Sequence, residues 1–302
     1  MGGLVALYLG AVVPLWLDRR PAGKTLREKS RRFWTNRMAA IGFVVFLLLA
    51  SISLLAPVLA PYEPSAQIDP ALERYQSPSM THLMGTDRFG RDVFSRVLYG
   101  ARVSLAVGVL SVILASIFGM LYGAFAGYLG GWIDDVSMRV VDGLLAFPRL
   151  LLLLTLLAMF ANSFSLVVLV LAATGWMGVA RLVRAEVLSL KERDFVQAAI
   201  ATGAGHARIV WRHLIPNALG PVIVAATLRV GLIILLESYL SFLGLGIQPP
   251  TPTWGNMVFE GREVLIGAWW VAAFPGLAIV TTVVSCNLFG DGLRDAMDVK
   301  TG

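Results

Sequence analysis

Two ionisable residues, Arg229 and Glu237, stand inside the long apolar segment 218–245. On insertion scales a central arginine costs about 2.5–3.5 kcal/mol, and each leucine, isoleucine or valine returns about 0.3–0.6 kcal/mol. The apolar neighbours therefore offset about one such charge, and the helix can insert with that charge facing protein or water. Both residues are candidates for a substrate pathway. A structural ion pair, or hydrogen bonds to carbonyl groups of a partner subunit, is the alternative for Arg229. A structural role is favoured for Glu237, near the outer end.

The sequence holds no group of residues with the composition of a catalytic, metal or nucleotide site. Its three histidines are His82, His206 and His213, and its single cysteine is Cys286. These residues form no Ser/His/Asp set and no cluster with metal-ligand spacing. The phosphate loop G-x-x-x-x-G-K-[ST] is also absent. We therefore expect a chain that is not an enzyme and binds no ATP, metal or other cofactor itself.

The composition indicates a membrane protein. Of the 302 residues, 57% are hydrophobic and 15% are charged, and the mean hydropathy is +0.74. Soluble domains carry about a quarter charged residues, so the deficit predicts an all-α, polytopic integral membrane protein. The net charge of +6 does not indicate nucleic-acid binding. The basic residues cluster beside apolar segments, as the positive-inside rule describes.

Apolar runs long enough to cross a hydrocarbon core predict six core transmembrane helices. Their approximate bounds are 38–60, 103–128, 141–160, 164–180, 218–245 and 267–289. The chain then divides into an apolar and basic N-terminal part, a first helix, an external loop and a five-helix core with a cytoplasmic loop. These parts are 1–37, 38–60, 61–100 and 101–298, with the cytoplasmic loop at 181–217.

Basic residues predict the orientation of these helices. The stretch 18–37 is strongly basic, and further basic residues begin the loop at 181–217, so both are expected in the cytoplasm together with the tail 290–298. The apolar segment 2–17 would reach only about 24 Å, short of a hydrocarbon core of about 30 Å. A peripheral helix is favoured for it, and a short extra span or a misassigned start codon is the alternative.

Glycine, proline and aromatic residues predict local features of the core. A short cytoplasmic turn is expected at 130–140, and Pro148 should kink or break the third span near its inner end. Small residues such as Gly119 and Gly123 favour close helix packing. The pair Trp269-Trp270 is expected to anchor the outer end of the last span.

The segment 194–217, DFVQAAIATGAGHARIVWRHLIPN, is too polar to lie in a bilayer. The spacing of Asp194 and Gln197 predicts a capping box at its start. Gly203 and Gly205 are expected to supply positive φ angles that turn the chain. The proline near its end is expected to stop a second short helix. We therefore predict a small helical hairpin that protrudes between two spans.

This segment resembles the EAA loop of ABC-importer permeases. The similarity lies in Gln197-Ala198-Ala199, followed by Gly203 and by His213-Leu214-Ile215-Pro216. The sequence departs from the common pattern at Gln197, His213 and Ile215, where the family has Glu, Ile and Leu. The resemblance implies that the loop is a coupling helix that docks into a groove on a cytoplasmic ATPase subunit. The residues that we assign to this coupling are Asp194, Gln197, Ala198, Ala199, Gly203, Arg208 and Pro216.

Further stretches resemble the C-type permease subunits of the dipeptide/oligopeptide importers. The segment 82–96, HLMGTDRFGRDVFSR, is similar to their signature before the second span, and Asp87 or Asp92 is expected to cap the following helix. The loop 241–257, SFLGLGIQPPTPTWGNM, also matches their pattern. With Trp254 it is expected at the membrane interface, re-entrant or over the outer mouth. The C-terminal tail resembles the family's ending.

The resemblance covers about residues 33–298 and identifies a C-type transmembrane subunit of a bacterial dipeptide/oligopeptide (peptide/nickel) ABC importer. It implies the type I importer permease fold in the cytoplasmic membrane, in contact with lipid and a second homologous permease. It also implies two cytoplasmic ATP-binding subunits that hold ATP and Mg²⁺, and an external substrate-binding protein. Transport would proceed by alternating access. The cargo stays open among dipeptides, longer peptides, glutathione, nickel chelates and sugars.

Two other classes of membrane protein are the alternatives to an importer subunit. A secondary active transporter needs an ion-coupling site, usually near the midplane between broken helices of internal repeats. The candidates for such a site are Arg229, Glu237 and, near the inner end of a span, Asp142, and no repeat is evident. A membrane scaffold or insertase does not explain the hairpin centred on Gly203. Transport without ATP would favour the secondary transporter.

Overall fold

The computed structural model describes residues 30–67, 73–160 and 163–297, so the predicted apolar segment 2–17 lies outside the described residues. Within these ranges the chain forms helices and no strand, and a single bridge joins Thr86 and Asp92. A short helical stretch at 30–35 precedes the numbered helices. In chain order these are α1 (Arg37–Leu59), α2 (Val93–Leu129), α3 (Gly131–Ala146), α4 (Arg149–Met159), α5 (Phe164–Ala173), α6 (Met177–Lys191), α7 (Asp194–Ala201), α8 (His206–Ile209), α9 (Ile215–Phe242), α10 (Trp254–Gly261) and α11 (Trp270–Met297). A π-helical turn, Val210–Leu214, joins α8 to α9, and a 3₁₀ turn, Arg262–Val264, follows α10.

Four helical stretches of the described chain are long and apolar enough to cross a membrane: α1, α2, the continuous stretch from α8 through α9, and α11. Two further pairs pass the same test together, although each is bent. The bend is 79° between α3 and α4, and 42° between α5 and α6. When each bent pair counts as one span, the total reaches six. That number agrees with the six core helices predicted from the sequence.

Helix α2 forms the centre of the bundle and contacts α1, α5, α6 and α9. Its glycines allow a close approach to α6. A Cβ added at Gly119 would lie 2.6 Å from the carbonyl oxygen of Trp176, and one at Gly123 would collide with the backbone of Ala180. Backbones this close require residues without a side chain. The predicted role of these small residues in helix packing is therefore confirmed.

Several predicted boundaries are wrong, because caps and long-range contacts extend the helices. Helix α2 begins at Val93, ahead of position 103, since Oδ2 of Asp92 caps it by accepting the N–H of Ser95 at 2.7 Å. The predicted turn at 130–140 is largely helix, and the chain turns only at Gly130 and Gly131, with φ of 65° and 56°.

Breaks within two spans shape the middle of the bundle. The break predicted at Pro148 is confirmed, because α3 ends at Ala146 and α4 begins at Arg149. A second break, at 174–176, interrupts the span predicted at 164–180 and was not foreseen. The final helix also differs from its prediction, since α11 continues through the tail to Met297.

Candidate coupling hairpin and mid-span arginine pair

The hairpin at 194–217 turns at Gly203. The N–H of Gly203 donates to the carbonyl of Ile200 at 2.9 Å, and the N–H of Ala204 donates to that of Ala199 at 3.0 Å. This is the Schellman arrangement, which satisfies the last carbonyl groups of α7 and needs a left-handed residue after the helix. Gly203 adopts φ +79°, so the predicted positive φ is confirmed there.

Other local predictions for the hairpin are wrong. Gly205 has φ −64° and needs no glycine for its backbone conformation. Asp194 is the first residue of α7, and the cap position is taken by Arg193 without a side-chain hydrogen bond. Gln197 does not reach back to the cap, because its Nε2 donates to the carbonyl of Lys191 at 2.8 Å. The predicted capping box is therefore not formed.

Pro216 does not end the second helix of the hairpin. It lies in the first turn of α9, where its missing N–H is best tolerated, and the π-helical turn precedes it. Helix is consequently continuous from His206 to Phe242. The second arm of the hairpin is thus continuous with a candidate membrane span.

Apolar side chains fix the hairpin to the bundle. Val196 of α7 and Ile209 of α8 are both buried, and they belong to one core cluster with Val187 of α6. At the edge of this cluster, Tyr128 Oη and His206 Nδ1 lie 2.7 Å apart. The inward-facing side chains of both arms are therefore buried against the bundle of this chain.

The outward face of the hairpin carries the residues assigned to coupling. Asp194, Gln197, Ala198, Gly203 and Arg208 are exposed, and Ala199 and Pro216 are partly exposed. Within the described ranges, neither charged member of this set forms an ion pair. A Cβ added at Gly203 would meet nothing within 4 Å. The space in front of the turn is open for another molecule.

Arg229 lies about midway along α9 and is accompanied by a second arginine, Arg149, in the first turn of α4. Nη1 of Arg229 donates to the carbonyl of Gly175 at 3.0 Å. Arg149 donates through Nε to Oγ1 of Thr174 and through Nη2 to the carbonyl of Leu171, both at 3.3 Å. Both guanidinium groups thus reach the break between α5 and α6. The carbonyl groups at the end of α5 carry the negative end of its dipole and suit cations.

Neither Arg149 nor Arg229 forms an ion pair with a carboxylate in the described part of the chain, and both are partly exposed. Glycine makes room for one of them, because a Cβ at Gly178 would lie 2.5 Å from Nη2 of Arg229. Hydrocarbon does not accept an exposed guanidinium group. This part of the surface must therefore face water or another protein subunit.

Glu237, the second candidate pathway residue, is fully buried. Its Oε1 accepts a hydrogen bond from Oγ of Ser241 at 2.8 Å, whereas its Oε2 finds no hydrogen-bond partner among the described residues. No part of the Glu237 side chain is exposed at the surface of the described chain. The structural role that the sequence favours for Glu237 stays a prediction, as does its place on a substrate pathway.

The segment 82–96 is held by a buried network of ion pairs. Oδ2 of Asp87 accepts Nε of Arg91 at 2.7 Å and also accepts Nη1 of Arg96. Glu260 of α10 accepts Nη2 of Arg91 at 3.0 Å and Nη1 of Arg96 at 2.8 Å. None of the four side chains is more than 6% exposed. Burial and the positive charge of Arg96 lower the pKa of the Arg91 guanidinium, and the two carboxylates oppose this shift.

Two tryptophans predicted at the membrane interface are buried in protein instead. Nε1 of Trp254 donates to the carbonyl of Val97 at 3.0 Å, and the side chain is only 1% exposed. Nε1 of Trp270 donates to the carbonyl of Thr86 at 3.1 Å. The anchor prediction is therefore wrong for Trp270, whereas Trp269 is half exposed.

Sequence reasoning missed Arg149 and Glu260 as members of polar sites. The position of Arg149, directly after Pro148 and before an apolar run, was a usable signal, because a charge at a helix break inside a span suggests a specific contact. Glu260 offered no such signal. Its arginine partners lie 164 and 169 positions away in the sequence, and only the fold brings them together.

Comparison with known proteins gives a consistent result along the chain. The family model described as "Binding-protein-dependent transport system inner membrane component" matches residues 115–301, and "N-terminal TM domain of oligopeptide transport permease C" matches residues 25–78. The dipeptide transport system permease protein DppC of Alkalihalophilus pseudofirmus is 41% identical over 94% of this chain and 92% of its own length.

Two further relatives carry related names. The glutathione transport system permease protein GsiD of Pectobacterium atrosepticum is 41% identical over 91% of both chains. The oligopeptide transport system permease protein OppC of Bacillus subtilis is 36% identical over 91% of this chain and 89% of its own length. The chain is therefore a polytopic α-helical membrane protein of the binding-protein-dependent transport system inner membrane components, and within them a C-type permease subunit of the dipeptide/oligopeptide ABC importers.

Proposed function

We propose that this chain and a second homologous permease form the pathway of an ATP-driven importer for dipeptides or oligopeptides. In this proposal the hairpin at 194–217 couples the pathway to two cytoplasmic ATP-binding subunits, and an external substrate-binding protein delivers the cargo. The observation that supports it best is the division of the hairpin into two faces. Val196 and Ile209 are buried against the bundle, whereas Ala198 and Gly203 stand exposed with open space in front of the turn.

The continuity of the helix explains how the hairpin acts on the pathway. ATP binding draws the two ATPase subunits together, and the hairpin moves with the groove that holds it. Because helix runs unbroken from His206 to Phe242, this motion also moves α9 and the Arg229 side chain that α9 carries. The pathway then opens outward to receive substrate. ATP and Mg²⁺ belong to the partner subunits, since the sequence of this chain has no phosphate loop.

A peptide cargo is supported by the names of the relatives, which describe dipeptide, oligopeptide and glutathione transport. The complex lies in the bacterial inner membrane, with both ends of the six-helix core in the cytoplasm. The exposed apolar side chains of the spans, such as Val58 at 81%, suit lipid or the second permease.

Cross-linking combined with transport tests this proposal. The native Cys286 is buried, so a cysteine introduced at the exposed Ala198 is the only reactive one in this chain. In the complete transporter, with cysteines scanned along the ATPase groove, Ala198→Cys is expected to form a disulfide with an ATPase subunit. Val196→Cys, on the buried face, is the matched control and should not cross-link.

Uptake by the same complex in proteoliposomes gives the second readout. Uptake of radiolabelled alanyl-alanine should require both internal ATP and the binding protein. Uptake that proceeds without ATP and follows an ion gradient would instead identify a secondary transporter. An absence of every Ala198 cross-link in an active transporter would contradict the coupling role of the hairpin.

A further inference from the structure

We infer that Arg149 and Arg229 form a carboxylate-binding site on the translocation pathway, which holds the C-terminal carboxylate of a peptide in transit. This inference rests on the proposed function, because it adds a ligand group and two named residues to that pathway. It starts from the charges at the break between α5 and α6.

The two guanidinium groups carry positive charge that no carboxylate of the described residues neutralises. Both donate to atoms of the same short stretch, 171–175, at the break between α5 and α6. Within the described residues no carboxylate pairs with either of them. Carbonyl groups supply only partial negative charge. An anion that joined them would remove their repulsion and complete their hydrogen bonds.

The two side chains are also held in place before an anion arrives. Arg229 uses one N–H group on Gly175, and Arg149 uses two on Thr174 and Leu171. An arginine has five N–H groups in a planar fork, so donors remain on both residues for a bidentate carboxylate. A site that is held without its anion can release it again, which a transport pathway requires.

The position of the pair suits a substrate in transit. Arg149 follows the break between α3 and α4, and Arg229 contacts the break between α5 and α6, so two interrupted spans meet a third near its middle. Interrupted helices are a common setting of substrate sites in transporters. Every peptide with a free C-terminus carries the carboxylate, whatever its side chains. Recognition of that group is therefore compatible with varied peptide cargo.

Two other occupants are tested by the same experiment: an acidic side chain of the second permease and the phosphate of a lipid. The complete transporter is placed in proteoliposomes with its binding protein, and uptake of alanyl-alanine is compared with uptake of alanyl-alanine amide. The binding protein is the same in every sample. A change in the acid-to-amide ratio between permease variants therefore originates in the permease.

Arg149→Gln and Arg229→Gln are expected to lower the acid-to-amide uptake ratio by about tenfold each, the loss expected when one charge-assisted hydrogen bond is removed. The lysine variants at both positions keep the charge but not the fork, and should show a smaller drop. Gly178→Ala, which takes the space of the Arg229 guanidinium group, should also lower the ratio. The matched control is Arg181→Gln, because Arg181 of α6 already pairs with Asp142 and should leave the ratio unchanged.

Assembly of the complex is followed by recovery of all its subunits. If both substrates fall equally in assembled glutamine variants, or if the ratio does not move, the carboxylate site is wrong. If the glutamine variants do not assemble and the lysine variants assemble with the wild-type ratio, a fixed acidic partner or a lipid phosphate is the occupant. Failure of the proposed function looks different, because the wild-type transporter would then take up neither peptide.

Discussion

The segment at 82–96 and the hairpin at 194–217 both carry a recognisable motif. They differ in whether their charged side chains form ion pairs within the chain. The first encloses Asp87, Arg91 and Arg96 with Glu260, and each of these four charges meets an opposite charge inside the chain. In the second, the charged residues Asp194 and Arg208, to which we assign coupling, are exposed and form no ion pair in the described ranges. A motif that is satisfied within its own chain holds the fold together. A motif left unsatisfied and exposed is available to a partner.

The largest effect is expected where the buried network is broken. Arg96→Met removes one cation and leaves Asp87 and Glu260 with one arginine between them, so the free energy of unfolding should fall by about 3–5 kcal/mol. The loss should appear as a lower melting temperature and poor recovery of the purified complex. Arg181→Met is the control. Its pair with Asp142 is about half exposed, and the loss there should be below about 1 kcal/mol. Equal losses in the two variants would contradict the comparison.

The double variant Gly203→Val, Ala199→Glu should damage function more than fold. A β-branched residue at φ +79° strains the turn by about 1–2 kcal/mol, and a charged side chain is added on the outward face. Uptake should fall by more than about tenfold, because a central interface contact is worth about 2 kcal/mol or more. The complex should still be recovered. Wild-type uptake in this variant would contradict the coupling role.

Gly203→Asn separates strain from bulk at the same position. Asparagine tolerates left-handed backbone better than most residues, and this chain offers no atom within 4 Å of an added Cβ. Melting should therefore stay within about 1 kcal/mol of the wild type. A loss of uptake in this variant without a loss of stability would support the proposed contact of the turn with an ATPase groove. A large loss of stability would show that the turn is packed more tightly than the structure indicates.

Arg208 gives a smaller effect of the same kind. Arg208→Gln removes an exposed charge without breaking any ion pair of the described chain, so melting should not change. If the charge meets the ATPase at the edge of the interface, coupling should weaken by roughly 1 kcal/mol, about fivefold in ATP-driven uptake. The drop should shrink at high salt. A drop that is independent of salt would point to a packing role.

The smallest effect on uptake is expected from single cysteines that only report on which side of the membrane a residue lies. Met80, at 97% exposure near the buried network, is a better reporter than Asp87 or Trp254, which are each 1% exposed. An impermeant thiol reagent on intact cells should label Met80→Cys and leave Arg208→Cys unlabelled, while uptake is unaffected by Met80→Cys. The reverse pattern of labelling would overturn the proposed orientation.

Features that depend on a few neighbouring residues were determined by the sequence itself. The break at Pro148 follows from a missing N–H and a steric clash, and the turn at Gly203 follows from the freedom of glycine at positive φ. The placement of the apolar spans follows in the same way from hydrophobic length. The family motifs in the hairpin can likewise be recognised from the sequence alone, because all their residues lie in one short segment.

Tertiary structure decided the features that depend on distant partners. Helix continues past Pro216 and through 131–140 because packing and ion pairs, such as that of Asp134 with Arg184, outweigh weak local signals. Trp254 and Trp270 look like interfacial residues in sequence, yet each finds a backbone carbonyl inside the protein. Arg149 and Arg229 are 80 positions apart, and only the break between α5 and α6 brings their charges together. A charge is satisfied by whatever lies next to it in space, and local sequence does not specify that neighbour.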